Sequence, residues 1–131
     1  MSILDGFKII NRASGNPTMS ITRNGISFSK ATIAKIGYPA YVHLMVDDSS
    51  NRVALVPCEE DIDSIAFVKQ GTRPNFIRWN NKDLINRLLG LCKLKLTDDF
   101  KGVRIDSEYY PEENVLIFDM NKYKEIDNED E

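Results

Sequence analysis

MSITRNGISFSKATIAKIG, Met19 to Gly37, reads as two short strands around Arg23-Asn24-Gly25, followed by a short helix. Asn and Gly accept positive φ at low cost, so Asn24-Gly25 favours a tight hairpin whose twist suits the flanking strands. Ser29 follows the aromatic strand residue Phe28, where an N-cap oxygen is worth about 1 kcal/mol. Ile33 and Ile36 recur at helical spacing, and Gly37 supplies a C-terminal stop. The segment carries Arg23, Lys30 and Lys35 and no acid, in a chain whose formal net charge is -3.

The same order of elements returns later in the chain, and a repeat governs any fold assignment. After the opening segment come YVHLMVDD, the polar turn SSN and RVALVP; the second copy runs IAFVK-QGTRP-NFIRWN, NKDLINRLLGL, KGVRIDSEYY, the turn PEEN and VLIFDM. Gly71 with Pro74 makes a longer turn in the place of Asn24-Gly25. Asn80 after Trp79 occupies the N-cap position that Ser29 holds in the first copy. Leu84, Ile85, Leu88 and Leu89 recur at helical spacing, with Gly90 as the stop.

Val42, Leu44 and Val46 share one face with Tyr41, His43 and Met45 on the other, and Val103 and Ile105 play the same part in the second copy, as half-buried strands require. The runs VALV and VLIF are apolar at every position, which predicts strands covered on both sides. Four short strands and a small helix would leave open edges, whereas two interleaved copies close a barrel. The expected fold is therefore α+β, mainly β: an internally duplicated strand-strand-helix-strand-strand unit forming one pseudo-twofold barrel domain. Residues 19–58 and 65–121 are the repeats, with 1–18 an N-terminal extension, 59–64 an acidic linker and 122–131 an acidic, disordered tail. Within the extension, Phe7, Ile9 and Ile10 add a strand or cover an edge, and Gly15 to Pro17 form a turn.

A chain of 131 residues with 42% hydrophobic content fits one domain with a real core. Cys58 and Cys92 lie far apart with no CxxC or Cys/His spacing, so neither a disulfide framework nor a zinc site is indicated. The start MSILDGFKII lacks a basic flank before a long apolar stretch, and no run is long enough to span a bilayer, which predicts a soluble, cytoplasmic protein without a membrane partner. The charge is unevenly spread. PCEEDIDS and KEIDNEDE hold nine of the twenty acids, whereas Ile65 to Gly90 carries Lys69, Arg73, Arg78, Lys82 and Arg87 against Asp83 alone. Two basic segments therefore open the two copies.

Gly25-Ile26-Ser27-Phe28-Ser29-Lys30, the short helix Ile33 to Gly37 and the strand Val53 to Pro57 resemble the AbrB/MazE/SpoVT-like DNA-binding domains. The resemblance covers Met19 to Pro57, and Ile65 to Met120 more loosely. It implies a swapped-hairpin barrel in which a tandem copy does within one chain what a homodimer does with two. It also implies a transcription regulator or antitoxin-type component that binds duplex DNA through basic residues of the hairpin and helix. The matching positions are Arg23, Lys30 and Lys35, with Lys69, Arg73, Arg78, Lys82 and Arg87 in the second copy. Three features depart from the family pattern. Ser29 and Asn80 replace its proline, Ala34-Lys35 stands where a helix arginine is usual, and LCKLKLTDDF extends the second copy.

Such binding would be chiefly electrostatic, with lysine and arginine displacing counterions from phosphates. The alternative reading is a protein-interaction or structural module that keeps the barrel without DNA, its acidic linker or tail engaging a protein partner. An enzyme is not indicated, and no cofactor or metal is implied. His43 is the sole histidine and has no nucleophile or ligand companion at useful spacing. Asp47-Asp48 and Asp98-Asp99 fall in turns, where aspartate serves the backbone, and phosphate-binding glycine loops are missing. Phe28, Tyr41 and Trp79 are expected in the core.

Overall fold

Gly25 turns the first hairpin at φ +147°, and a Cβ there would lie 2.6 Å from the Trp79 carbonyl oxygen, so only glycine fits. In the computed structural model, which describes residues 3, 5–6 and 16–126, this turn joins β1 (Thr18–Thr22) to β2 (Gly25–Ser29), antiparallel with Ser20 opposite Ser27. Ser29 caps α1 (Lys30–Lys35) as expected: its hydroxyl accepts from the Thr32 amide at 3.2 Å. The helix ends in a Schellman motif. The amides of Gly37 and Tyr38 donate to the carbonyls of Ala34 and Ile33, with Gly37 at φ 87°. β3 (Tyr41–Asp47) and β4 (Arg52–Cys58) then pair over their whole length.

The second half comprises β5 (Ile65–Ala66), β6 (Phe76–Trp79), α2 (Lys82–Leu91), β7 (Val103–Tyr110), β8 (Val115–Asp119), a 3-10 turn (Met120–Lys122) and β9 (Lys124–Glu125). All nine strands belong to one curled antiparallel sheet in the order β5-β3-β4-β8-β7-β1-β2-β6, with β9 added to β7. The protein is thus mainly β, with a curled, half-barrel sheet and two helices. Met19, Ile21, Ile26, Phe28, Leu55, Leu116 and Phe118 fill the concave side, where Ile33 of α1 and Ile85, Leu88 and Leu89 of α2 complete the core. Phe28, Phe67 and Trp79 meet edge-on at 4.8 to 6.0 Å, the core role expected of Phe28 and Trp79.

Five expectations need correction. The α2 cap is Asn81, not Asn80: β6 stays paired to β2 as far as Trp79, and it is the Asn81 side chain that reaches the Leu84 amide, at 3.1 Å. Gly90 lies inside α2, and the reversal comes at Lys93, φ 62°, whose amide and that of Leu94 bond Gly90 and Leu89. Burial of Leu91 and Cys92 offsets the cost of the longer helix.

The second copy does not form a hairpin of its own. β5 pairs with β3 and β6 with β2, and the amides of Phe67 and Val68 bond Ala40 and Pro39. No pairing joins β5 to β6, so the ring stays open there. The strands VALV and VLIF are fully covered on one side only: Val53, Leu55, Leu116 and Phe118 are buried, while on the other side Val115 is buried but Ala54, Val56 and Ile117 are only partly covered. The tail remains attached through β9 on β7 and the buried Ile126, whose amide bonds the Gly102 carbonyl at 2.9 Å. The expectations for Phe7, Ile9, Ile10, Gly15 and residues 127–131 lie outside the described residues.

A cross-strand basic row as candidate nucleic-acid interface

On the convex side of β6-β2-β1-β7-β9, five residues stand directly opposite one another: Arg78 faces Ser27, Ser27 faces Ser20, Ser20 faces Arg104 and Arg104 faces Lys124. Directly opposed residues project from the same face. Inward neighbours of each are core residues, which fixes the outward direction of the row: Met19 and Ile21 flank Ser20, Ile26 and Phe28 flank Ser27, Val103 and Ile105 flank Arg104. At about 4.8 Å per strand, Arg78 and Arg104 are anchored about 14 Å apart, with two small hydroxyl side chains between them.

The row is held from one end. Arg78 Nε donates to Ser27 Oγ at 3.2 Å, and its guanidinium lies 5.5 Å from the ring centroid of Phe76, an aromatic 57% exposed. Arg104 has no ion pair among the described residues, and Lys124 Nζ sits 3.3 Å from the Asp106 carboxylate. Two open guanidinium groups over a hydroxyl floor can hold more than one phosphate oxygen at once. The donors and hydroxyls of the row are of the kind that suit an anion.

Only one residue of the sequence-derived set, Arg78, lies in this row. Arg23 instead donates to the Thr97 carbonyl and stands 3.8 Å from Asp98, so the extension LCKLKLTDDF holds the first hairpin turn. Lys35 lies over the Tyr109 ring at 4.9 Å and Arg73 over Tyr38 at 4.5 Å. Arg87 is bound by both oxygens of Asp48. Lys30 and Lys82 begin α1 and α2, which leave opposite ends of the β2-β6 pair, since Ser29 faces Phe76 and Ile26 faces Trp79. Lys69 is exposed in the β5-β6 connection. The set is therefore dispersed rather than gathered on one face.

Sequence reasoning missed Arg104, Lys124, Ser20 and Ser27. A signal existed for Arg104, because alternation in VRIDSEYY puts it opposite Val103 and Ile105. What no local pattern supplies is the register that brings Arg104 beside Ser20, eighty-odd positions earlier in the chain. The acidic linker does not reach the row. Its Asp61 bonds His43 Nε2 at 2.9 Å. Partial burial opposes ionisation of Asp61, but the Asp63 amide and His43 outweigh it and hold the carboxyl below its ordinary value.

Cys58 sits on the strand beside His43 and close to Asp61, yet burial and then the Asp61 charge push its thiol up, the wrong direction for a nucleophile. Among the described residues no group of three His, Cys, Asp or Glu side chains could hold a metal ion, and no helix is long and apolar enough to cross a membrane. No family model matches the chain, and comparison with curated proteins and with solved structures gives no match.

Proposed function

We propose that this chain is a duplex-DNA-binding protein of the AbrB/MazE/SpoVT kind, a regulator or antitoxin-type component, that contacts phosphates through the Arg78-Ser27-Ser20-Arg104 row. The carrying observation is that row: two arginines on one sheet face with no acid between them. Counterion release provides the affinity, and the sheet face positions the duplex.

The pairing pattern supports the duplicated, swapped reading of the fold. β1 pairs with β7 as β5 pairs with β3, each first strand lying on the third strand of the other copy. The equivalents β4 with β8 and β2 with β6 pair with each other. A half-turn that exchanges the copies leaves this pattern unchanged, apart from the open β5-β6 junction and the added β9 on β7. Both helices also close in the same two-bond C-terminal motif, at Gly37 and at Lys93.

The test is fluorescence anisotropy with a labelled generic duplex, titrated across salt. Wild-type protein binds at low salt with an affinity that falls linearly in log-log form, and Arg78→Ala and Arg104→Ala each flatten the slope by about 0.9 per lost phosphate contact. Absence of binding at about 50 mM salt, where phosphate contacts are strong, refutes the reading.

A further inference from the structure

We propose that the open edge of β6 takes up an extended, acidic segment of a partner protein as an added strand. Among the described residues only β2 pairs with β6, and the sheet ends there. The direction of the free peptide groups follows from the register. Thr22 and Gly25 close a two-residue hairpin loop, so Gly25 and Ser27 bond to β1, and the alternate residues Ile26 and Phe28 bond to β6. Their partners Trp79 and Ile77 therefore turn their amides and carbonyls to β2, in keeping with the Trp79 carbonyl oxygen standing 2.6 Å from where a Gly25 Cβ would lie. Those of Phe76 and Arg78 face the other way, along the unpaired edge, where they can bond a further strand.

Three side-chain features mark the same seam as incomplete. Ile77 and Trp79 point inward yet are only partly buried, whereas their neighbours Ile26 and Phe28 on β2 are fully buried. The Trp79 ring meets Phe67, just beyond β5, and its Nε1 is buried with no hydrogen-bond partner among the described residues. Phe76, on the outward side, is 57% exposed. The charge around the seam selects the occupant. Lys69 and Arg73 on the β5-β6 connection, Arg78 on β6 and Lys82 just beyond it are in no ion pair among the described residues. From Ile65 to Gly90 the one acid is Asp83. A strand of alternating apolar and acidic residues suits both sides, with apolar side chains beside Ile77 and Trp79 and carboxylates beside Arg78. A second copy of this edge would bring the same uncompensated cations with it. The site shares Arg78 with the basic row but involves no nucleic acid, so it stands or falls apart from the duplex reading.

Trp79 is the sole tryptophan, so its emission reports on the seam directly. The probe is a blocked peptide of about six residues, an ordinary strand length, alternating glutamate and valine. Added to the full chain at low salt, it should shift the emission to the blue and saturate by about 100 μM, the range of weak peptide recognition. A peptide alternating lysine and valine should bind at least about tenfold more weakly, and Arg78→Glu should reverse that order with an unchanged circular dichroism spectrum. The glutamate-valine peptide with N-methylated amides keeps its charge but loses its strand donors, and it should not bind. No saturable change with the first peptide overturns the proposal. So does equal binding of the N-methylated peptide, which would mean adhesion by charge alone. A blue shift that follows protein concentration without any peptide overturns it as well, because it would assign the edge to a second copy.

Discussion

Arg87 grips Asp48 with both guanidinium nitrogens, Nη1 to Oδ1 at 2.9 Å and Nη2 to Oδ2 at 3.0 Å, fastening α2 to the turn between β3 and β4. The hydrogen bond from Arg87 holds the Asp48 carboxyl below its ordinary value, and the carboxylate raises the guanidinium in return. An arginine neutralised in this way has little left for a phosphate. Arg87→Ala is therefore expected to leave duplex affinity within about twofold of wild type, whereas Arg78→Ala flattens the salt slope as above. Anisotropy on the two variants side by side decides it. Equal losses would mean that binding follows total charge and not the row.

Gly25→Ala should be among the most damaging turn changes. The new methyl would meet the Trp79 carbonyl at 2.6 Å and Arg78 Cγ at 2.9 Å, at a φ of +147° that L residues rarely adopt. Both neighbours belong to β6, so relief requires the β2-β6 pair to part. A loss of about 1–3 kcal/mol in urea unfolding is expected, in the range for backbone strain plus a lost contact. A loss below about 0.5 kcal/mol, typical of a neutral surface change, would show that the pair yields easily.

The end of α2 offers the opposite outcome. Gly90 is helical with open space where a Cβ would go, so Gly90→Ala should stabilise by about 0.5–1 kcal/mol. Lys93 carries the left-handed conformation, φ 62°, that glycine takes at the end of α1, and Lys93→Gly should raise the unfolding midpoint as well. Thermal and urea midpoints of the two single variants check both. A fall in either would place the helix end elsewhere.

These two helix ends also mark where sequence legibility stops. The hairpin around Arg23-Asn24-Gly25, the cap at Ser29 and the stop at Gly37 depend on residues within a few positions of one another, and the local pattern placed all three, although the loop itself is Arg23-Asn24 and only Gly25 takes a positive φ. At α2 the glycine signal misled, because the buried side chains of Leu91 and Cys92 carry the helix past Gly90, and burial is a tertiary quantity. The exposed convex faces were invisible for a related reason: a strand apolar at every position looks the same whether its second side meets a helix, another chain or water. The basic row needed register across five strands, and only Arg78 of it stood in a segment already conspicuous for charge.

Asp47 should titrate far below a normal aspartate. Hydrogen bonds from the Ser49 and Ser50 side chains lower its pKa from 3.8 to about 2. Because the folded value is the depressed one, the stabilisation is complete above about pH 3.8 and is lost as pH falls toward about 2. Carbon-detected NMR of the side-chain carboxyl should place its midpoint near the lower figure in wild type and higher in Ser49→Ala. An unshifted wild-type midpoint would mean that the turn is open in solution.

The two thiols should separate kinetically. Burial pushes Cys92 up to about 11, while Cys58 is raised by burial and by Asp61 but remains partly exposed. For a raised pKa the sign is the reverse of the Asp47 case. The stabilisation is intact below the unfolded thiol value of about 8.5 and is lost as pH climbs through the folded value, because the unfolded chain releases the proton more readily. At pH 8 an aromatic disulfide reagent should therefore label Cys58 in a first phase, with Cys92 following only at the rate at which the core opens. Cys58→Ser should abolish the first phase and Cys92→Ala the second. Rapid modification of Cys92 in the native protein would show that the packing of α2 against the sheet opens far more often than its buried Ile85, Leu88 and Leu89 imply.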